Sequence, residues 1–153
     1  MAHVETLMLA NHAEAINGLL YIQGGAWTHH WRPRPMGENQ APPSQIAIAA
    51  TFLIEAREVS REHSLSLSIA SEDGAELFKA EGNVQVNPAT GTEAPTYRTA
   101  IAANVLIGFP NTGRYGLSGA IDSQAPSVVD FWVGDAPAEG QPSSEGVPTG
   151  GYI

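Results

Sequence analysis

Hydrophobic and polar residues alternate one by one along much of the chain, a pattern typical of β-strands that bury one face. The clearest example is HSLSLSIAS at residues 63–71, in which leucine or isoleucine occupies every second position. The alternation recurs at residues 44–56, 97–109, 114–122 and 127–135, and long runs at helical spacing are missing. The pattern therefore predicts an all-β protein with about eight to ten short strands.

Near the start of the chain, Asn17 and Gly18 lie between two apolar segments and predict a β-hairpin. Both residues tolerate the positive φ angles that a two-residue type I′ turn requires. Such a turn fixes the register of the two strands, because residues equally distant from the turn lie opposite each other. The predicted pairs are Ile16 with Leu19, Ala15 with Leu20, Glu14 with Tyr21, Ala13 with Ile22, and His12 with Gln23.

Turns rich in glycine, proline and asparagine join the predicted strands, and this arrangement favours an antiparallel sandwich of two sheets. A closed barrel is the alternative. The alternation ends near residue 135, and the residues that follow, APAEGQPSSEGVPTGGYI, have no periodicity. We therefore divide the chain into a β-sandwich domain at residues 1–134 and an acidic Pro/Gly/Ser-rich tail at residues 135–153.

The charge of the chain narrows the range of partners. Its 7 lysine and arginine residues face 16 aspartate and glutamate residues, so the formal net charge is −9. Lys79 is the single lysine, and the sequence offers no basic patch for phosphates or anionic lipids. Nucleic acids and membrane surfaces are therefore not expected as partners.

The absence of cysteine excludes disulfides, thiolate nucleophiles and metal sites that depend on cysteine. The N-terminal residues carry Glu5 instead of a basic leader, and their apolar run is too short for a signal peptide. No run approaches the ~18 apolar residues of a membrane span. We expect a cytoplasmic protein.

The side chains most capable of chemistry lie in GGAWTHHWRPRP, at residues 24–35. Two adjacent histidines between two tryptophans fit either a metal or catalytic site or the packed end of a strand. The paired glycines favour a bulge or a close approach of two backbones. An extended backbone sends neighbouring side chains to opposite faces. The predicted faces are Trp27, His29 and Trp31 on one side, and Thr28 and His30 on the other.

Histidines on opposite faces do not ligate one ion, so a metal site at His29 or His30 needs a distant ligand such as His12. The sequence has no H-E-x-x-H or facial-triad spacing to supply such ligands. The alternative is that the tryptophans cover an edge of the sandwich and one imidazole forms hydrogen bonds inside it. We favour this alternative and expect no metal or other cofactor.

Two further motifs have both a structural and a functional interpretation. Residues 32–35, RPRP, fit a polyproline II docking segment or a stiff surface connection, and we favour the connection. Ser118 lies in GLSGA, which approaches the nucleophile elbow G-x-S-x-G. Ala120 replaces its last glycine, and the surrounding alternation predicts a strand instead of a strand-to-helix turn. We therefore do not expect Ser118 to be catalytic.

The segments LMLANHAEAINGLLYIQGGAW, GFPNTGRYGLSGAID and FWV resemble a family of small bacterial β-sandwich proteins of actinobacterial type whose function is unknown. That family shares an N-terminal NGxLYxxGGxW block and a late PxGxYxxxxxID block, and the resemblance covers most of residues 4–133. It implies a cytoplasmic sandwich of immunoglobulin-like or related Greek-key topology, and it brings no catalytic residues. Ala26 stands where the family tends to carry a third glycine.

These features favour a non-catalytic protein-binding or assembly module, either an accessory subunit of a larger complex or a homo-oligomer, with the tail as a docking segment. One alternative is a metal-dependent or hydrolytic enzyme that uses His29 or His30. Another is a small-ligand carrier with a cavity between the sheets, near the alanines at residues 47–50 and 100–103. The predicted partner-binding residues are Trp27, His29, Trp31, Arg32, Arg34, Tyr152 and Ile153.

Overall fold

The computed structural model describes residues 1–138, which form nine β-strands and one 3-10 turn. The strands are β1 (His3–Ile16), β2 (Leu19–Gly25), β3 (His29–Arg32), β4 (Ser44–Glu55), β5 (Glu62–Ser71), β6 (Glu76–Gln85), β7 (Thr96–Ile107), β8 (Gly113–Ile121) and β9 (Ser127–Asp135). The 3-10 turn (Ala56–Glu58) connects β4 to β5. Within this part of the chain, no helix has the length and hydrophobicity that a bilayer crossing requires.

The strands form a four-stranded sheet in the order β2-β1-β4-β7 and a five-stranded sheet in the order β3-β9-β8-β5-β6. The two sheets pack against each other around one main core, which confirms the predicted two-sheet sandwich. Neighbouring strands are antiparallel with one exception, because β3 runs parallel to β9. The antiparallel prediction is corrected at this pair. The chain reaches β3 only after it has crossed from one sheet to the other.

The connections between the strands follow a Greek key. The chain crosses from one sheet to the other after β2, β3, β4, β6 and β7, while β8 and β9 pair as neighbours. Tyr115, near the start of β8, donates its phenolic O–H to the backbone carbonyl of Asn111 at 2.7 Å. A hydrogen bond of this kind is the tyrosine corner of immunoglobulin-like sandwiches. The predicted immunoglobulin-like class is therefore confirmed.

The core between the sheets is built from the residues that alternate in the sequence. In β4 and β5 every second residue points inward and loses nearly all contact with water, which stabilises the fold by about 1.5–3 kcal/mol for each large aliphatic or aromatic side chain. The predicted inward residues, all at most 6% exposed, are Ile46, Ile48, Phe52, Ile54, Leu65, Leu67 and Ile69.

The β1–β2 hairpin has the predicted register at all five pairs. Asn17 and Gly18 adopt φ angles of 51° and 77°, as a type I′ turn requires. The outer half of this hairpin leaves the plane of its sheet. Ala13 of β1 contacts Asn104 of β7, although β4 lies between these two strands in the sheet. The hairpin therefore folds back over the outer face of β4.

Small side chains make this folding back possible. Ala13 packs on the outer face against Ala47 and Ala49 of β4, and all three are completely buried. Ala102 of β7 packs against the same cluster. These alanines let the hairpin approach the sheet closely, and they do not line a space between the sheets as the ligand-carrier hypothesis requires.

Asn104 fastens the hairpin to β7. Its side-chain amide donates to the carbonyl of Ala13 at 2.8 Å and accepts from the N–H of Ala13 at 3.2 Å. One side chain thus satisfies both backbone groups of a residue that has left the sheet.

We expect Asn104→Leu to lower the free energy of unfolding by about 1–3 kcal/mol, because it leaves the two backbone groups of Ala13 unpaired. Urea unfolding would measure the loss. The matched control is Asn83→Leu on the exposed side of β6, which we expect to change stability little. Equal effects of the two substitutions would contradict the proposed role of Asn104.

Candidate functional site

Residues 24–35 lie where the chain leaves β2 and enters β3 at the other sheet. Gly24 has a φ of 57°, and a Cβ atom at this position would collide with the side chain of Asn11. The predicted close approach at the paired glycines is present, but it is to neighbouring side chains and not to a second backbone. Ala26 has a φ of 62°, and its N–H donates to the carbonyl of Leu9 at 2.8 Å. The left-handed conformation of Ala26 turns the chain out of the four-stranded sheet.

The predicted extended segment begins at Trp27, whereas strand β3 begins only at His29, two residues later. The prediction that Trp27 shares a face with His29 and Trp31 is wrong, because the turn at Ala26 points Trp27 into the sandwich. Trp27 stacks on His30, with ring centroids 5.4 Å apart. The two histidines do lie on opposite faces, as predicted, since His29 is exposed and His30 is half-buried.

The inward residues belong to a cluster of aromatic rings at one side of the sandwich. Trp27 meets Phe131 edge-on at 5.8 Å, and His30 lies 5.6 Å from Phe109. Phe109 in turn contacts Phe131 at 6.0 Å. Edge-to-face contacts of this kind stabilise a cluster by about 0.5–1.5 kcal/mol each beyond the burial of area. The cluster closes the sandwich between β2 and β3.

Two nitrogens in this cluster have no hydrogen-bond partner among the described residues. They are Nε1 of Trp27 and Nε2 of His30, and both are buried. Burial lowers the pKa of His30 below its ordinary value, because a charged imidazolium would lose its hydration there. The imidazole of His30 is therefore neutral at pH 7.

On the outer face of the same strands, three aromatic side chains lie together. His29 stacks on Trp132 of β9, with ring centroids 5.9 Å apart. The ring of Trp31 covers Gly134, where a Cβ atom would come within 2.7 Å of it. Trp31 is 57% exposed and Trp132 is 43% exposed. We call His29, Trp31 and Trp132 the aromatic edge.

Arg32 follows the aromatic edge in sequence but points inward. It is 6% exposed, and its Nε donates to Oδ1 of Asp135 at 2.7 Å while Nη1 donates to the carbonyl of Phe109. The assignment of Arg32 and Trp27 to an exposed contact surface is therefore corrected, because both side chains serve the interior. Arg34 is exposed and donates to the carbonyl of Ala136.

The remaining predicted site residues lie apart from this region. His12 lies on the hairpin and contacts Glu14 at 3.2 Å. Ser118 lies in the middle of β8, opposite Ser68 of β5, and not at a strand-to-helix turn. In the part of the chain that the structure describes, no three histidine, aspartate or glutamate side chains converge to hold a metal ion. Tyr152 and Ile153 lie outside the described residues.

A histidine and an aspartate do meet near the start of β5, away from the aromatic edge. His63 is fully buried, and its ring nitrogens contact Oδ2 of Asp122 at 2.9 Å and the carbonyl of Glu58 at 3.0 Å. Burial acts to raise the pKa of Asp122, but hydrogen bonds from His63 and the Ser64 N–H, with the nearby positive charges, hold it below its ordinary value. Both ring nitrogens of His63 make contacts within the fold. The pair therefore stabilises the contact between β5 and the end of β8, and neither ring nitrogen is available as a base for a substrate.

Trp132 was not among the residues that the sequence pattern singled out. Its exposure could have been deduced from alternation alone. Val129, Phe131 and Val133 alternate as inward residues, so Trp132 between them must face water. A tryptophan on the solvent side of a strand is the signal that points to a contact surface.

The topology and the aromatic edge define an immunoglobulin-like β-sandwich with an exposed aromatic surface on its five-stranded sheet. The chain belongs to a family of unknown function (DUF6941), whose model matches residues 5–134. The match confirms the predicted resemblance to a family without an assigned activity. The matched range also agrees with residues 4–133, over which the resemblance extends. A comparison with proteins of curated function finds no match.

We expect Ala26→Gly to stabilise the protein by about 0.5–1 kcal/mol, because glycine adopts a positive φ without the steric cost that alanine has. Thermal and urea unfolding would measure the gain. The matched control is Ala15→Gly at a regular position of β1, where glycine should destabilise by a similar amount. A loss of stability with Ala26→Gly would show that the turn is not strained.

We expect the stability of the protein to fall as the pH is lowered from about 7 to about 5, in part because of His30. Burial lowers the pKa of His30 in the folded state, so the unfolded chain binds more protons at this residue than the folded chain does. Stability therefore rises with pH through this window.

The variant His30→Phe should reduce this pH dependence, and His29→Phe on the exposed face should leave it unchanged. Urea unfolding at several pH values would separate the two. An unaltered pH dependence in His30→Phe would rule out the assigned role of the buried imidazole.

Proposed function

We propose that the protein is a non-catalytic protein-binding or assembly module that contacts another protein chain through the aromatic edge. The observation that carries this proposal is the exposure of Trp31 and Trp132, at 57% and 43%, on neighbouring strands of one face. Tryptophan is among the residues most enriched in the energetic centres of protein interfaces. Burial of a large aromatic ring removes about 150–250 Å² from water.

The rings of the aromatic edge are held in place before any partner arrives. His29 stacks on Trp132, and Trp31 lies against Gly134. A side chain that is already ordered loses little conformational entropy on binding. This preorganisation supports a role of the aromatic edge in binding, and it argues against an exposure of these rings without function.

The central strands of the sheet face beside the aromatic edge carry small outward residues, which leave a depression of about 330 Å³ on this face. An ion pair joins Arg114 to Asp130, and another joins Lys79 to Glu81, so the charges on this face largely cancel in a chain of net charge −9. An accessible, nearly neutral face next to exposed tryptophans suits contact with another protein. The small residues are Ser66, Ser68, Ala70, Gly116, Ser118 and Ala120.

The size of this face also suits an interface. Five strands spaced ~4.8 Å apart and about nine residues long at ~3.3 Å per residue cover roughly 700 Å². A standard protein interface buries about 800 Å² on each partner. The partner is either a second copy of the chain or a different protein. A cytoplasmic location, a bacterial origin and a docking role for the C-terminal residues remain predictions from the sequence.

The enzymatic alternative requires an imidazole paired with a second titratable group in one cleft. His29 and His30 both border an open cleft of about 440 Å³ beside Gly24 and Gly25, but no carboxylate is among the described residues that line this cleft. The ligand-carrier alternative requires a cavity between the sheets, and the space lined by inward residues of both sheets is an apolar slot of about 210 Å³ beside β6. This volume is below the ~300–1,000 Å³ typical of small-molecule pockets. We therefore place both alternatives behind protein binding.

The double substitution Trp31→Ser with Trp132→Ser should weaken the complex about tenfold or more, since interface tryptophans often contribute 2 kcal/mol or more. Two measurements cover the two kinds of partner. Sedimentation of the pure full-length chain over a concentration series tests self-association. Affinity capture from the source organism, followed by titration with the purified candidate, tests a different protein.

The matched control is Leu19→Ser, which removes another exposed apolar side chain, 60% exposed, at the hairpin turn. It should bind as the native chain does. A chain that is monomeric at all concentrations, and whose captured proteins do not depend on the tryptophans, would refute the proposal.

A further inference from the structure

The side of the sandwich opposite the aromatic edge is open. Strands β6 and β7 are the last strands of their sheets and do not pair with each other. Apolar side chains that point inward here are only partly buried, in contrast to the fully buried inward residues of β4. These partly buried residues are Phe78 and Val84 of β6, and Ile101 and Val105 of β7.

A slot of about 210 Å³ leads into the core at this opening. Leu65 and Leu67 of β5 and Ile101 of β7 contribute apolar walls. The space exists because Ala80 and Gly82 stand where larger inward residues would fill it. A Cβ atom added at Gly82 would meet no atom within 4 Å. The slot therefore has room for additional aliphatic side chains.

The backbone beside the slot is an unprotected strand edge. Proteins guard such edges with short strands, prolines or charged residues. Strand β3 has 4 residues and is followed by an Arg-Pro repeat, and β6 carries Glu76, Lys79 and Glu81. Strand β7 has 12 residues and no proline, and its one charged residue, Arg98, is bound to Glu5 by two hydrogen bonds of 2.7 Å.

We infer that β7 accepts an extended segment of another protein as an additional strand, whose alternate side chains enter the slot. Backbone hydrogen bonds to a free edge and pockets for alternate side chains are the two elements by which proteins recognise an added strand. Both are present here side by side. The segment carries small or medium aliphatic residues at every second position.

Charge specifies the ends of this segment. Glu76 lies on β6 and Glu93 precedes β7, while Glu81 of β6 is paired with Lys79, and the chain as a whole has a net charge of −9. Basic residues that flank the aliphatic positions would be attracted to this side of the sandwich. The partner is therefore an extended aliphatic segment with flanking lysine or arginine.

Other occupants fit the slot less well. Strand β7 of a second copy is part of a whole sandwich, so the five-stranded sheet of that copy would also arrive at the mouth of the slot. The mouth has room for one isolated strand. Residues 139–153 of the same chain contain Pro142, Pro148 and four glycines, which are unfavourable in a strand ladder. The slot lies beside β6 and the aromatic edge includes β3, and these are the opposite ends of one sheet. The inference therefore does not depend on the proposed function.

The test uses the full-length chain and a labelled synthetic peptide of alternating valine and threonine with a lysine at each end. Fluorescence anisotropy should show saturable binding, and amide hydrogen exchange should slow in residues 96–107. The same peptide with a central proline should bind about tenfold or more weakly, because it lacks a backbone donor.

The variant Gly82→Val fills the slot without a collision and should weaken peptide binding about tenfold while the protein stays folded. The matched control is Ser66→Val, which adds valine on the outer face of the neighbouring strand β5, outside the lining of the slot, and should bind normally. The double substitution at Trp31 and Trp132 should also leave peptide binding intact, which separates this site from the aromatic edge.

Several results would overturn the inference. They are an absence of binding, equal affinity for the proline peptide, or binding that Gly82→Val does not change. Slow exchange of those β7 amides that point away from β4, before any peptide is added, would show that the chain itself already covers the edge. Dimerisation that competes with the peptide would assign the edge to a second copy.

Discussion

The left-handed turn at Ala26 is the constraint on which the arrangement of this sandwich depends. Its N–H is bound to Leu9 of β1, so the turn is fixed to the sheet that the chain is leaving. The turn directs Trp27 into the core against Phe131, and β3 then enters the second sheet beside β9. This geometry decides which side chains of β3 face inward and which form the aromatic edge.

The same constraint makes the two sides of the sandwich different. Trp27 and its aromatic neighbours close the side between β2 and β3, where the chain itself crosses from sheet to sheet. The chain also crosses between β6 and β7, through residues 86–95, but this loop joins the end of β6 to the start of β7. Inward side chains farther along β7, such as Ile101, stay partly exposed. One side therefore exposes aromatic side chains, and the other exposes a free backbone edge.

Local features of the sequence predicted most of the fold. The alternation in β4 and β5 and the Asn17-Gly18 turn act through neighbouring residues, so a single sequence contains all the information they need. The direction of Trp27 could not be read from this chain alone, because an alanine at position 26 gives no sign of a positive φ. The glycine that the resembling family tends to carry at this position is such a sign. The folded-back hairpin was also hidden, since its anchor joins Ala13 to Asn104, 91 positions away.

The two proposed surfaces lie at the ends of one sheet, which determines how they influence each other. Four strand spacings of ~4.8 Å separate β3 from β6, a distance of about 19 Å. Sites farther apart than about 7–10 Å without shared contacts usually act independently. The strands between them, β9, β8 and β5, are held by continuous ladders and offer no second arrangement through which binding at one surface would alter the other. Such a sheet suits a module that joins two protein chains without coupling their affinities.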